Sequence, residues 1–244
     1  KTMNMSVKFP ENSKSKHLSA EQIAELGQKI DAIRRDIMDS IGEQDAQYIY
    51  KIRDFVRYSE IASRGMLMFG GWIPPVWLLG TGLLGLSKIV ENMELGHNVM
   101  HGQFDWLNDP NLNGANYDWD TMATGDDWKY THNYIHHTYT NIVGKDHDVG
   151  YGLIRVSESQ KWEPRFLFNI PLAIQLMVFF EWYVGLQNLH LEDVIAYKTK
   201  TWKEVWIESA KFRKKAVRQV AKDYVFFPLI AGPNAIPVFA GNAV

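Results

Sequence analysis

Two short segments hold five of the chain's eight histidines: HNVMH at 97–101 and HNYIHH at 132–137. Residues four apart on a helix lie one above the other, so His97 with His101, and His132 with His136, each present two imidazoles to one point. The helical pitch turns His137 about 100° away from His136, toward a second metal. Neutral imidazoles suit zinc, iron, copper and nickel. The five histidines exceed the three protein ligands of a hydrolytic zinc site, and with the adjacent pair they point to two metals. Two irons at an apolar boundary fit the activation of O₂ against an unactivated C–H bond, which side chains alone do not achieve. Lipid tails are the obvious substrate for such a centre.

The chain's other donors are few. Its 244 residues contain no cysteine, which excludes a disulfide scaffold, a thiolate zinc site, an iron-sulfur cluster and a thiol nucleophile. Any metal therefore rests on nitrogen and oxygen. His147, in KDHD at 145–148, is either a further ligand or an exposed residue between two acids. Asp146 and Asp148 are placed to accept hydrogen bonds from ligating imidazoles and orient them. His17 reads as a solvated residue and His190 as a packed or interfacial one. A formal net charge of -2 gives no sign of a nucleic-acid partner.

Helices must position these residues. Residues 1–18 are polar and read as a mobile arm before a single domain at 19–244. From Ser19, an N-cap with Gln22 three residues on, Ile23, Leu26, Ile30, Ile33 and Ile37 recur at helical spacing. The helix breaks near Gly42, and a second is expected from Asp45 to about Ser63. These amphipathic helices either pack on the fold or lie in a membrane interface. Apolar segments follow near 66–90, 166–191 and 224–244. The first could span a bilayer, but Pro74-Pro75 leaves open a kinked span or a re-entrant hairpin. The second contains Glu181, which must face protein, water or the interface.

Between the first two segments, residues 91–165 carry twelve acids against five Lys and Arg. Residues 192–223 carry nine Lys and Arg against five acids. The basic stretch marks a cytoplasmic side. Simple alternation of spans would put the two stretches on opposite sides, unless the intervening segment dips in and returns or lies flat. The first sixty residues show no short apolar core before a small-residue cleavage site. The expected class is all-α: a helical integral membrane protein with amphipathic N-terminal helices and a histidine-rich cytoplasmic cap.

The segments ELGHNVMHG at 94–102, with Asp105 and Trp106, and WKYTHNYIHHTYTN at 128–141 resemble the first two histidine boxes of bacterial membrane fatty acid desaturases. DHDVGYG at 146–152 and KDYVFFPLIAGP at 222–233 are similar to the acyl-CoA desaturase branch. The resemblance runs from about residue 20 to the end. It implies a di-iron centre at the cytoplasmic face of the bacterial inner membrane, with His97, His101, His132, His136 and His137 as iron ligands. It also implies O₂-dependent insertion of a cis double bond into an acyl chain carried by CoA or phospholipid. A ferredoxin or rubredoxin-type donor with its NAD(P)H reductase would supply the electrons, since the chain shows no flavin or dinucleotide fingerprint. Trp106, Trp128 and Tyr134 are candidates for the mouth of an apolar substrate tunnel. The basic residues Lys211, Arg213, Lys214, Lys215, Arg218 and Lys222 could hold CoA phosphates, an acidic electron carrier or anionic lipid.

Two alternatives stand beside the desaturase: a membrane di-iron hydroxylase or alkane monooxygenase, which would yield an alcohol, and a non-enzymatic metal-binding membrane protein. The family also carries a third H-x-x-H-H box, which nothing here matches, and the chain stops inside an apolar segment. It is expected to be a truncated form in which five imidazoles leave two irons under-ligated. The 244 residues alone are expected to bind iron poorly and to form no double bond. Iron analysis and product analysis of this chain would check that, and stoichiometric di-iron with alkene formation would overturn it.

Overall fold

In the computed structural model, which describes residues 18–243 except 188, 190–193, 195–197 and 199, every element is helical. No strand occurs among the described residues, as the all-α expectation required. The arm at 1–17, with His17, and the expectation for His190 lie outside the described residues.

The chain divides into two units, residues 1–47 and 48–244. In the first, α1 (Ala20–Ser40) starts at the expected capping box: the Gln22 amide donates to Ser19 Oγ, and the Ser19 amide donates to Gln22 Oε1. Its apolar stripe, Ile23, Leu26, Ile30, Ile33 and Ile37, is exposed. Asp45 accepts from the Gly42 amide and so caps α2 (Glu43–Gly70). That helix is longer than expected, because nothing between Ser63 and Gly70 breaks it.

The second unit takes the rest of α2 and continues through α3 (Pro74–Ile89), α4 (His97–Met100), α5 (Gly125–Trp128), α6 (His137–Tyr139), α7 (Asn169–Val178), α8 (Phe180–Gln187), α9 (Trp202–Glu208), α10 (Ala210–Val220), α11 (Phe227–Ile230) and α12 (Ala235–Ala243). The first apolar segment breaks at Gly70–Ile73, before the prolines. Pro74 and Pro75 occupy the opening turn of α3, where a missing amide hydrogen costs nothing. Gly71 permits the close approach of α12, since a side chain there would meet Pro237 Cβ and Leu67 O at 2.5 Å. Leu67, Leu84, Ala231 and Val238 form the core between these helices, and the Trp72 and Trp77 indoles donate to the Pro233 and Pro237 carbonyls.

Among the described residues no single helix is long and apolar enough to cross a membrane. The 166–191 segment resolves into a pair, Pro164–Val178 and Phe180–Gln187, that satisfies length and composition together but is bent by 92°. Glu181, within it, faces protein and accepts a hydrogen bond from the Met122 amide at 3.0 Å.

A polar scaffold ties the helices to the loop before the second histidine cluster. Lys88 of α3 and Lys222, in the turn after α10, both donate to Asp120. Arg64 of α2 bridges Glu60 and Asp223 at 3.0 Å each, and its guanidinium lies 3.7 Å from the Phe227 ring centroid. Gln219 donates to Asp223 and to the Asp120 carbonyl. Burial opposes ionisation of Asp120, but the Lys88 and Lys222 ammoniums outweigh it and hold its carboxyl well below the usual carboxylate range.

A depressed carboxylate stabilises the fold above its unfolded pKa, and that contribution is lost as pH falls through the folded one. Thermal unfolding followed by tryptophan fluorescence should therefore show stability declining below about pH 4. Asp120→Asn is expected to cost about 2 kcal/mol at neutral pH and to flatten that acid limb. An acid profile identical to the parent's would refute this account.

Candidate metal centre

Both histidine clusters sit where an α-helix contains one π turn. The first π turn, Val90–Gly96, links α3 to α4, and the His97 amide donates to the Asn92 carbonyl five residues back. The second, Lys129–His136, links α5 to α6, and the His137 amide donates to the His132 carbonyl. This changes the expected geometry. Bonding from i to i+5 brings residues five apart onto one face, where an uninterrupted α-helix would turn His137 away. His137 lies instead with the others: its ring centroid is 5.0 Å from that of His132 and 4.9 Å from that of His101.

The remaining rings converge around His132. His97 and His101 stand 5.0 and 5.3 Å from it, and His136 stacks on it at 5.0 Å with 13° between planes. The Nε2 atoms of His97 and His101 are 3.2 Å apart, close to the separation of neighbouring ligands on one ion with bonds of about 2.1 Å. Donor atoms of His97, His101 and His132 all fall within 4.8 Å of one another, as do those of His132, His136 and Asp148. The rings of all five predicted histidines thus lie together, with His137 close by ring contact and outside both donor groups. His147 is half-buried and belongs to neither group.

Carboxylates line the back of the second cluster. Asp146 is buried and accepts from His136 Nδ1 at 3.0 Å, from the Asn141 amide at 2.7 Å and from the Asp148 amide at 3.0 Å. Asp148 lies 3.3 Å from His136 Nδ1 and 3.6 Å from His132 Nδ1. Carboxylates on Nδ1 hold the rings in the tautomer that leaves the Nε2 lone pair free for a metal. Burial, then the imidazoles of His132 and His137, lowers the pKa of His97. Burial, then the rings of His97, His132 and His137, brings His101 down to about 4. Both shifts favour the neutral ring, the form that binds a metal. The set of imidazole nitrogens and carboxylate oxygens fits iron.

Two supporting residues carry a weaker signal in the sequence. Asn133 Nδ2 donates to the Met100 carbonyl at 2.9 Å and so ties the second cluster to the first. Trp128 lies four residues before His132, and its indole stacks on that imidazole at 4.4 Å with Trp119 behind it. Trp128 is therefore a buried wall of the cluster, while Trp106 and Tyr134 are exposed. The spacing of Trp128 from His132 was the available clue.

The model of the fatty acid desaturase family matches residues 71–243, and the chain belongs to that family. Its relatives include the NADPH-dependent stearoyl-CoA 9-desaturase of Mycobacterium tuberculosis, 43% identical over 88% of this chain and 50% of the relative. The sn-1 linoleoyl-lipid 6-desaturase of Synechocystis is 32% identical over 51% of this chain and 35% of the relative. The chain thus spans half the length of the first and about a third of the second. No solved structure gives a significant match.

Asp146→Ala would strand two backbone amides and the His136 ring nitrogen, and is expected to destabilise the chain by about 2–3 kcal/mol. Thermal unfolding would measure it. A change below about 0.5 kcal/mol would mean that the carboxylate does not hold the 141–148 loop.

Proposed function

We propose that the intact protein is a fatty acyl desaturase that inserts a cis double bond into an acyl chain using O₂. The observation that carries this reading is the convergence of five imidazoles around His132 in a member of the desaturase family. His97, His101, His132, His136 and His137 would hold two irons, with Asp146 and Asp148 orienting the second cluster from behind. Iron supplies the O₂ activation and hydrogen removal that side chains cannot. The protein's part is to disfavour protonation of His97 and His101 by burial, hold the His132 and His136 Nδ1 atoms against carboxylates, and wall the cluster with Trp128. The mycobacterial relative's name supports an acyl-CoA substrate and electrons drawn from NADPH, here through a ferredoxin or rubredoxin-type donor.

We place the protein in the bacterial inner membrane with the histidines facing the cytoplasm. Contacts between the two polar stretches support one shared side: Lys211 pairs with Asp126 at 2.9 Å, and Lys215 and Lys222 bond Asp118 and Asp120. Groups in direct contact share one side of a bilayer. The bent pair at 164–187 then enters and returns, as the re-entrant alternative required, and the basic stretch marks the side.

Expression of the full-length gene in a host lacking the activity, followed by mass spectrometry of its fatty acids, tests the reading. New cis-unsaturated chains are expected, with none from His132→Ala. Hydroxylated products would establish a hydroxylase instead, and unaltered fatty acids would refute desaturation. Iron content of the His132→Ala protein is expected to fall at least about tenfold, because that ring neighbours both halves of the cluster.

A further inference from the structure

Helix α1 leaves its apolar stripe uncovered: Ile23, Leu26, Ile30, Ile33 and Ile37 keep 47 to 58% of their surfaces exposed. Steps of 3, 4, 3 and 4 repeat every seven residues, the spacing of a helix-pairing seam, with Ile23, Ile30 and Ile37 at its a positions and Leu26 and Ile33 at its d positions. Such a seam is narrower than the face of a helix laid against a globular core. The rest of the helix does not suit a lipid surface. An interfacial helix carries Lys and Arg on its polar face and aromatic residues near the boundary, whereas Ala20–Ser40 has five acidic side chains against three basic ones and no aromatic.

The residues beside the seam choose a partner and a direction. Lys29 and Asp36 flank it at g positions, and Gly27 and Arg34 at e positions. In a parallel pair of copies g faces the e position of the next heptad, which sets Lys29 against Arg34 on both edges. In an antiparallel pair g faces g. With Ile30 of one copy on Ile33 of the other, Leu26 meets Ile37 and Lys29 faces Asp36 on both edges. A slide of one heptad either way brings Lys29 onto Lys29 or Asp36 onto Asp36, so charge complementarity fixes the register. On the opposite side of the seam Arg34 faces Gly27, around which there is open space. Lys29 pairs with Glu25 of its own helix at 2.7 Å, but both side chains are exposed, and an ion pair of that kind is weak enough to exchange.

We propose that α1 is a self-association element: its stripe packs antiparallel on the same stripe of a second copy of this chain, in the register that pairs Lys29 with Asp36 twice. A contact of this kind is self-complementary and closes at two copies. The inference does not depend on the reading of the histidine centre.

The test uses the intact protein, labelled with one or other of two fluorophores and reconstituted in zwitterionic vesicles, with energy transfer between copies reporting their pairing. Lys29→Glu alone and Asp36→Lys alone should each weaken pairing at least about fivefold, because each sets like charges on both edges, and the two together should restore it. Asp31→Lys, on the outer face of the helix, changes the charge as much as Asp36→Lys and should leave pairing unchanged. Direction is read by oxidising a mixture of Ile30→Cys and Ile33→Cys copies, since these 244 residues contain no cysteine to compete. The mixed disulfide should exceed both like-with-like products. No energy transfer by the parent, a loss that the double charge exchange does not restore, or a preference for like-with-like disulfides would each overturn the proposal. Quenching of a bimane on Ile33→Cys by spin-labelled lipid would give the stripe to the bilayer and overturn it as well.

Discussion

The hydrogen bond from the His137 amide to the His132 carbonyl sets the geometry on which the centre depends. One i→i+5 turn is the smallest change that puts His132, His136 and His137 on one side of a single helix. The first cluster is entered through a π turn too, and a third, at Ala221–Phe226, precedes Pro228. At the third the cause is local, because proline lacks an amide hydrogen and cannot continue the regular ladder. The gain at the first two is convergence of the rings. Asn133 and Trp128 then lock one helix to the other, so that the two clusters keep a common origin.

Convergence of that kind needs a rigid base, and the base is ionic. Asp120 collects ammoniums from α3 and from the end of α10, while Arg64 reaches from α2 to Asp223. Removing one partner from such a group leaves its neighbours charged and poorly solvated, so the members stabilise as a set. The apolar core of Leu67, Leu84, Ala231 and Val238 lies beyond this layer. Apolar packing holds the helices together there, and the charges fix the loop beside the histidine cluster.

Much of this was legible in the sequence. The spacing of His97 and His101, the capping box at Ser19 and the break near Gly42 follow from local rules that neighbours do not override. Periodicity also marked the apolar stripe of α1. The π turn that carries His137 was not legible, because it leaves no residue signature at 129–136. The break at Gly70–Ile73 came earlier than the prolines suggested, since proline is welcome in a first turn. Pairing of Lys88, near the end of an apolar segment, with Asp120 depends on tertiary contact and has no local trace. The role of Asp146 as an acceptor for an imidazole was anticipated, but its partner His136 and the two backbone amides it also serves were not.

The protonation of His97 and His101 has a consequence for charge balance. Both rings are shifted toward the neutral form, His101 to about 4, so a cation arriving there would displace few protons. Ion uptake there would bring positive charge with few departing protons to offset it. Compensation would come from anions already in place, Glu94 near His97 and Asp146 and Asp148 against His132 and His136. Seen this way, the pair Asp146 and Asp148 would do more than orient imidazoles: it would bring negative charge to balance a cation held by the rings around His132.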